Sequence, residues 1–417
     1  MTEAFRALKY RNYRLFFTGQ TLSLIGSWMQ TVAMSWLVYR ITGSEVMLGT
    51  VALASQIPMF FAAPLAGVVT DRLNRQKILV ITQSLALLQA AILAVLVFAG
   101  VIQPWHVIVL SVFIGVVNAF DMPTRQAFVP ELVENRNDLS NVIALNSAQF
   151  NLARLVGPVV AGATISLFGE GVCFLLNAVS YLAVIVALLM IRVDEEGRMV
   201  STQHPLAELV AGARYAWHIQ PIRALLGLMT VVSFATGSLQ QVFLPVYAKE
   251  VYRGNSGTLG ILYCAIAVGA LTAAYMLAAR KTVIGLGRWI FISSTISAVT
   301  LGMFGFTTSV WFGIPVLAAM GFGMMKHMGA TNTMLQTIVE DNMRGRVMSF
   351  YAMAMVGSMP IGSFVSGFMA AAIGSPKTLL IFSVISISAS LWFLRSLPVF
   401  RAELRTIYHS KGIHSGQ

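Results

Sequence analysis

Apolar runs of about 20 residues recur along nearly the whole chain, and short segments that carry charge, Gly or Pro separate them. A run of that length crosses a hydrocarbon core of roughly 30 Å as an α-helix. The pattern predicts an all-α membrane protein with twelve transmembrane helices in two six-helix bundles. The predicted spans are 14–40, 45–70, 77–99, 104–122, 142–168, 171–192, 222–247, 256–280, 286–306, 310–336, 346–373 and 376–398.

The longest connector, 193–221, divides the predicted spans into two halves. We expect an N-terminal bundle at 1–192, a C-terminal bundle at 222–398 and a cytoplasmic tail at 399–417. Within the connector, apolar positions between residues 205 and 220 recur at helical spacing, which predicts an amphipathic helix at the cytoplasmic interface. This helix is either a passive tether or a regulatory element.

Composition supports the membrane assignment, and charge gives the orientation. Hydrophobic residues make up 57% of the chain and the mean hydropathy is +0.76, which excludes a soluble domain. The net charge of +12 does not indicate nucleic-acid binding, because the basic residues are unevenly distributed. Of the 28 Lys and Arg, only Arg40, Lys249, Arg253 and Lys377 flank spans on the side opposite the N-terminus. By the positive-inside rule, both termini are cytoplasmic.

The sequence carries no motif typical of disulfide-bonded, metal-binding, nucleotide-binding or catalytic sites. Cys173 and Cys264 lie in opposite halves and give neither a disulfide framework nor metal-ligand spacing. The sequence has no phosphate-binding loop of the G-x-x-x-x-G-K-[ST] type and no nucleophile constellation. We therefore expect no enzymatic activity, no cofactor and no metal.

Charge is concentrated in the connector between spans 2 and 3. Gly67, Asp71, Arg72 and Arg75 form the pattern G-x-x-x-D-R-x-x-R. This pattern resembles the loop between helices 2 and 3 of the major facilitator superfamily of secondary transporters. Asn74 stands where that family usually has Gly, and Asn tolerates a left-handed backbone better than most residues. The resemblance implies the major facilitator fold.

The charged connector also suggests a conformational function. The Asp71 carboxylate is placed to accept hydrogen bonds from free backbone N–H groups at the start of span 11, near residues 344–346. Arg72 or Arg75 would pair with Asp121. We call Gly67, Asp71, Arg72, Arg75 and Asp121 the cytoplasmic latch, which rocking of the two halves would break. The alternative is that these charges only fix the topology.

Span 5 carries a second motif, in which Gly157 and Pro158 are followed by Gly162. Proline frees a backbone carbonyl and bends the helix, and glycine lets a neighbouring helix approach. The motif resembles the helix-5 signature of facilitator-family antiporters, which implies export. An ordinary kinked packing helix would have the same residues.

Charges within predicted spans are few, and each is costly unless it faces protein or water. Arg154 lies in span 5, and Lys326 and His327 lie in span 10. Lys326 is predicted to face a cavity, whereas Arg154 either does so or pairs with backbone carbonyls or Asn151. A cationic cavity favours an anionic or catecholate-like amphiphile. The predicted substrate-binding residues are Gln30, Asn151, Arg154, Gln240 and Lys326.

Coupling to protons would require a titratable group within the membrane. No Asp or Glu lies near the middle of a predicted span. His327 is therefore the candidate proton carrier, since the reference pKa of histidine is near 6.5. The alternative is a hydrogen-bonded histidine without a role in transport.

Residues 5–14, 151–158 and 344–349 are similar to the bacterial branch of the superfamily that includes the enterobactin exporter and macrolide efflux carriers. The resemblance implies a monomeric inner-membrane transporter that works by alternating access. Its partners would be membrane lipid, protons and a small-molecule substrate, namely an exported siderophore or drug-like amphiphile. Two alternatives are an importer of a nutrient or lysolipid with the same fold and a transport-inactive sensor or assembly partner.

Overall fold

The computed structural model describes residues 3–192, 205–280 and 285–410, and almost all of these residues are helical. The chain forms two compact units. Unit 1 consists of Met1–Thr202 and Gly254–Cys264, and unit 2 consists of Gln203–Arg253 and Ala265–Gln417. The predicted all-α membrane class is confirmed.

Unit 1 is built on six long helices. Helix α1 packs against α5 and α6, α2 packs against α4, and α3 packs against both α4 and α6. The helices are α1 (Arg11–Thr42), α2 (Glu45–Arg72), α3 (Arg75–Phe98), α4 (Pro104–Phe128), α5 (Leu139–Phe168) and α6 (Glu170–Met190).

Unit 2 contains the remaining helices, apart from the first part of α9. Within it, α10 packs against α11 and α13, and α8 packs against α12 and α13. The helices are α7 (Pro205–His218), α8 (Gln220–Val251), α9 (Ser256–Ala278), α10 (Leu286–Gly305), α11 (Val310–Ile338), α12 (Met343–Ile373) and α13 (Ser375–Ser410).

Nine helices in the described ranges are long and apolar enough to cross a membrane. The other three predicted positions hold α1, α2 and α11, which have 32, 28 and 29 residues. A helix is therefore found at each of the twelve predicted positions.

The connector between α2 and α3 differs from its sequence interpretation at one residue. Asn74 has φ −63° and ψ 115°, so its backbone is extended and not left-handed. Its side-chain oxygen accepts a hydrogen bond from the backbone N–H of Lys77 at 2.9 Å. Asn74 is thus the N-cap of α3, a role that glycine fills without a side-chain bond.

Helix α5 packs closely on two neighbours through its glycines. A Cβ atom at Gly157 would lie 2.5 Å from the Cβ of Trp28, and one at Gly162 would lie 3.0 Å from the carbonyl oxygen of Ser256. Gly260 is the other side of the second contact, because a Cβ there would lie 3.0 Å from the carbonyl oxygen of Pro158. This close approach explains why the first part of α9 groups with unit 1.

Helix α7 lies in the predicted connector and packs on other helices of unit 2. Gly212 contacts Arg346, and Ala216 is buried in the apolar core of unit 2. The hydroxyl of Tyr215 accepts a hydrogen bond from the backbone N–H of Glu340 at 3.4 Å. Among the predicted apolar positions, Val210 and Trp217 are exposed. These two side chains therefore lie away from the packed face, and the location of this helix at the cytoplasmic interface stays a prediction.

A buried carboxylate anchors the N-terminal segment to the start of α5. One oxygen of Asp138 lies 2.6 Å from Arg6 Nε, and the other lies 2.9 Å from Lys9 Nζ. The hydroxyl of Tyr10 donates a hydrogen bond to the same carboxylate at 2.8 Å. Hydrogen bonds from Lys9 and Tyr10 hold the pKa of Asp138 below its usual value, and the bond to Asp138 raises the pKa of Lys9.

Replacing Asp138 with Asn should release the N-terminal segment. We expect a melting temperature several degrees below that of the parent protein at pH 7. Because the pKa of Asp138 is lowered in the folded state, its contribution is present above about pH 4 and is lost as the pH falls further. The difference between parent and Asp138→Asn should therefore shrink in the acid range. Thermal unfolding of both proteins in detergent, from pH 7 to pH 3.5, measures this difference in melting temperature. A difference that is constant with pH would contradict the role of the Asp138 carboxylate as the anchor of the N-terminal segment.

Replacing Gly157 with Val should force α5 away from α1. Overpacking of this kind costs about 1–3 kcal/mol, so purified Gly157→Val should unfold at a lower temperature than the parent. The matched control is Gly345→Ala, since a Cβ at Gly345 meets nothing within 4 Å. That variant should be as stable as the parent or slightly more stable. Equal stability of Gly157→Val and the parent would show that the contact with Trp28 can relax.

Candidate functional site

The buried amides of unit 1 form a chain of hydrogen bonds. Asn177 donates to the side-chain oxygen of Gln30 at 2.8 Å, and Gln30 donates to Gln89 at 2.9 Å. Gln89 in turn donates to the carbonyl oxygen of Leu110 at 3.3 Å. Both polar atoms of Gln30 therefore have protein partners, and its contact with a substrate stays a prediction. Its position indicates a structural role in joining α1, α3 and α6.

Arg154 lies on α5 beside an aromatic pair. Its guanidinium carbon is 5.8 Å from the ring centroid of Trp28, and Phe150 packs edge-on against the same ring. Asn151 donates to the carbonyl oxygen of Ser147 at 2.9 Å, one turn away on its own helix. Among the described residues no hydrogen bond joins Arg154 to Asn151, so the predicted pair is not formed. Arg154 is instead a half-buried cation on an aromatic surface.

The predicted partner of Asp121 in the cytoplasmic latch is wrong. Arg75 pairs with Glu131 and also donates to the carbonyl oxygen of Ala127 at 3.1 Å. Asp121 pairs with Arg125 at 2.7 Å, one turn along α4. Helical spacing places Arg125 directly beside Asp121. Arg75 is the first residue of α3, and its side chain reaches Glu131 in the segment after α4.

Asp121 is also fully supplied with hydrogen-bond donors. Thr82 Oγ1 and Gln83 Nε2 donate to one carboxylate oxygen at 2.9 and 2.7 Å. Of the other predicted latch residues, Arg72 is exposed at the end of α2. The surroundings of Gly67 and the side chain of Asp71 lie outside the described part of the structure, so the proposed contact of Asp71 with span 11 stays a prediction.

Unit 2 holds the most deeply buried lysine that the structure describes. Lys326 is 5% exposed, and its ammonium nitrogen lies 3.8 Å from the ring centroid of Trp289 and 4.9 Å from that of Phe322. No carboxylate in the described ranges lies within ion-pair distance of it. Lys326 is therefore stabilised by aromatic faces instead of an opposite charge. The sequence predicts Lys326 as a site residue but carries no signal for Trp289, which lies on α10.

The neighbouring histidine has a different environment. His327 is fully buried, and in the described part of the chain neither ring nitrogen has a hydrogen-bond partner. Thr331 lies one turn further along α11, and its buried hydroxyl is also without a partner there. Buried polar atoms of this kind are costly unless water or a ligand reaches them.

Gln240, the remaining predicted contact, lies half-buried in a π-helical turn of α8. Such turns widen the backbone locally and are frequent at functional sites. The predicted site residues thus divide between the units. Gln30, Asn151 and Arg154 lie in unit 1, and Gln240, Lys326 and His327 lie in unit 2.

Comparison with known sequences identifies relatives along the whole chain. The family described as transmembrane secretion effector matches residues 2–412. A staphyloferrin A transporter of Staphylococcus aureus is 26% identical over 90% of this chain and 93% of its own length. The multidrug efflux pump Tap of Mycolicibacterium fortuitum is 26% identical, over 92% of this chain and 93% of the pump. Macrolide efflux protein A of Streptococcus pyogenes is 24% identical, over 88% of this chain and 92% of that protein.

Solved structures show the same fold at low sequence identity. A POT family transporter superimposes with a TM-score of 0.75 at 12% identity, over 94% of this chain and 96% of that chain. The nucleoside transporter NupG gives a TM-score of 0.70 at 15% identity, over 94% of this chain and 99% of that chain. Together with the family match, these results show that the chain belongs to the transmembrane secretion effector family of the major facilitator superfamily.

Proposed function

We propose that this protein exports a siderophore or another drug-like amphiphile with an anionic group, by alternating access and in exchange for protons. The family membership and the relatives named as efflux pumps support export. The relative named as a staphyloferrin A transporter supports a siderophore as one cargo class. The charge preference of the cargo rests on Lys326.

Lys326 is the single observation that carries the anionic preference. A buried ammonium normally pairs with a carboxylate, since an isolated charge in a membrane costs several kcal/mol. Here Trp289 and Phe322 supply only the negative faces of their rings. Such contacts stabilise a cation without cancelling its charge. The ammonium thus keeps its capacity to bind an anionic group of the cargo.

A second cation strengthens this preference. Among the described residues, Arg280, which follows α9, acts electrostatically on Lys326. The combined positive charge of the two side chains favours a ligand that carries negative charge, such as a carboxylate or a catecholate. The aromatic rings of Trp289 and Phe322 offer apolar surface for the rest of an amphiphile.

His327 is our candidate for the proton carrier. It is titratable, it lies within α11 beside Lys326, and its two ring nitrogens have no partner in the described residues. A histidine that gained a proton would place a positive charge next to that of Lys326. Protonation and the state of the cargo site would therefore be coupled electrostatically.

The location that we propose is the inner membrane of a bacterium, with both termini in the cytoplasm. The distribution of Lys and Arg along the sequence supports this orientation.

We propose that the monomer is the working form, as the major facilitator fold contains both bundles within one chain. Alternating access would proceed by movement of the two bundles, which we place at 1–192 and 222–398.

Replacing Lys326 with Gln should impair export of anionic cargo. A charge-assisted contact contributes about 1.5–3 kcal/mol, so we expect the apparent affinity to fall at least about tenfold. The measurement is retention of a panel of siderophores and fluorescent drugs in cells that lack or overproduce each variant. Lys377→Gln is the matched control, because Lys377 is exposed at the start of α13. Export unchanged in Lys326→Gln would remove Lys326 from the site, and higher retention with the parent protein would indicate import.

Replacing His327 with Gln should separate cargo binding from proton coupling. In proteoliposomes we expect proton-driven transport to fall at least about tenfold, which corresponds to about 1.4 kcal/mol. Cargo-for-cargo exchange, which moves no net proton, should persist. His218→Gln serves as the control, since His218 is exposed on α7. Loss of both activities would indicate a structural role, and retention of both would contradict the assignment.

A further inference from the structure

A cleft opens in unit 1 where α1, α3 and α5 end and where α6 and α9 begin. Its volume is about 630 Å³. Three aromatic side chains line it, namely Trp36, Phe98 and Phe168. Arg40 and Glu170 supply its charges. A cleft of this size matches a drug-sized ligand, and none of its lining residues belongs to the cargo site proposed at Lys326.

The two charged groups are held very differently. Arg40 Nε donates to one oxygen of Glu170 at 2.7 Å, and Arg40 Nη2 donates to the other at 3.4 Å. The side chain of Glu170 is 8% exposed, whereas that of Arg40 is 47% exposed. The carboxylate is therefore a fixed part of the cleft, and the guanidinium reaches it on a flexible and half-exposed stem.

Local backbone geometry fixes the position of Glu170. Gly169 has φ +82°, a conformation that glycine adopts without strain, and it turns the chain sharply from α5 into α6. Glu170 is the first residue after this turn. Next to it, a Cβ atom at Gly171 would lie 2.8 Å from the ring of Phe98, so this aromatic wall lies directly beside the carboxylate segment.

We propose that this cleft binds an organic cation, an ammonium or guanidinium group on an apolar body, which replaces Arg40 at Glu170. A buried carboxylate in a cleft that also has an aromatic lining is the chemistry that recognises such cations. The guanidinium of Arg40 marks the position that the ligand's N–H donors would take. A single carboxylate does not suffice for a metal ion, and the described residues contain no cluster of three metal-ligating side chains.

Displacement of Arg40 is energetically modest. The half-exposed guanidinium of Arg40 regains its hydration on release, and the ligand's cation takes its place at Glu170, so the buried carboxylate keeps an opposite charge. A ligand that forms the same contact and also covers Trp36 gains apolar burial that Arg40 does not provide. The ligand's charge is opposite to that of the cargo proposed for Lys326, so this site is independent of the proposed export function.

The test uses two probes that differ in charge. Dansylcadaverine carries a primary ammonium, and dansylamide is its neutral counterpart with the same fluorophore. Binding to purified protein in nanodiscs is followed by dansyl fluorescence. Arg40→Gln removes the tethered competitor, so its affinity for dansylcadaverine should rise about fivefold over the parent. Glu170→Gln and the double variant Arg40→Gln/Glu170→Gln should lose this binding, and dansylamide should not distinguish any of the proteins.

The control is Glu131→Gln, which breaks the ion pair of Arg75 elsewhere in unit 1. It should bind dansylcadaverine like the parent. Equal affinities of Arg40→Gln and the double variant, or equal responses to the two probes, would overturn the proposal. Because the readout is binding, its failure would leave the export function untouched, and failed transport would leave this site untouched.

Arg40→Gln leaves a buried carboxylate without its cation and for that reason can be unstable. In that case n-propylguanidine, the free counterpart of the missing side chain, provides the test. It should raise the melting temperature of Arg40→Ala in a saturable manner and leave Arg40→Ala/Glu170→Gln unchanged. An equal rise in both variants, or in neither, would contradict binding at Glu170.

Discussion

A polar group within the hydrocarbon core must find its partner inside the protein, and much of this structure follows from that requirement. In unit 1, three amides at Gln30, Gln89 and Asn177 satisfy one another across three helices. Asp121 receives three donors and is 2% exposed. Such networks fix the relative positions of the helices that contribute to them. Lys326 and His327 differ from these groups within the described residues: aromatic rings and no carboxylate contact the Lys326 ammonium, and neither ring nitrogen of His327 has a hydrogen-bond partner.

The same requirement limits how the helices associate. An apolar helix gains little hydrophobic free energy when it exchanges lipid contacts for contacts with another helix. Close backbone packing therefore has to supply the attraction between helices. Gly269 and Gly321 let α9 and α11 approach until a Cβ at either position would overlap a carbonyl oxygen of the partner helix. Gly157 and Gly162 do the same for α5. Rigid packing of this kind holds Trp28 beside Arg154 and keeps the polar side chains in place.

The sequence predicted the positions of the helices better than it predicted which charged side chains pair with one another. Apolar length locates a span to within a few residues, because the bilayer imposes it, and all twelve predicted positions hold a helix. Pairing depends on rotation about each helix axis and on which helices become neighbours, and neither can be read from the hydropathy of one span. The pairing of Arg75 with Glu131 was missed for this reason, as was the role of Asp138 in anchoring Arg6 and Lys9.

Charge pairs within one helix and charge pairs between helices respond differently to motion. The Asp121–Arg125 pair lies within α4, so it moves with that helix and survives any rearrangement of its neighbours. The Arg40–Glu170 pair joins the end of α1 to the start of α6, so it persists only while those two ends stay together. A transporter that alternates between states needs both kinds. Pairs of the first kind keep a buried charge neutralised throughout the cycle, and pairs of the second kind can exchange partners as helix ends separate.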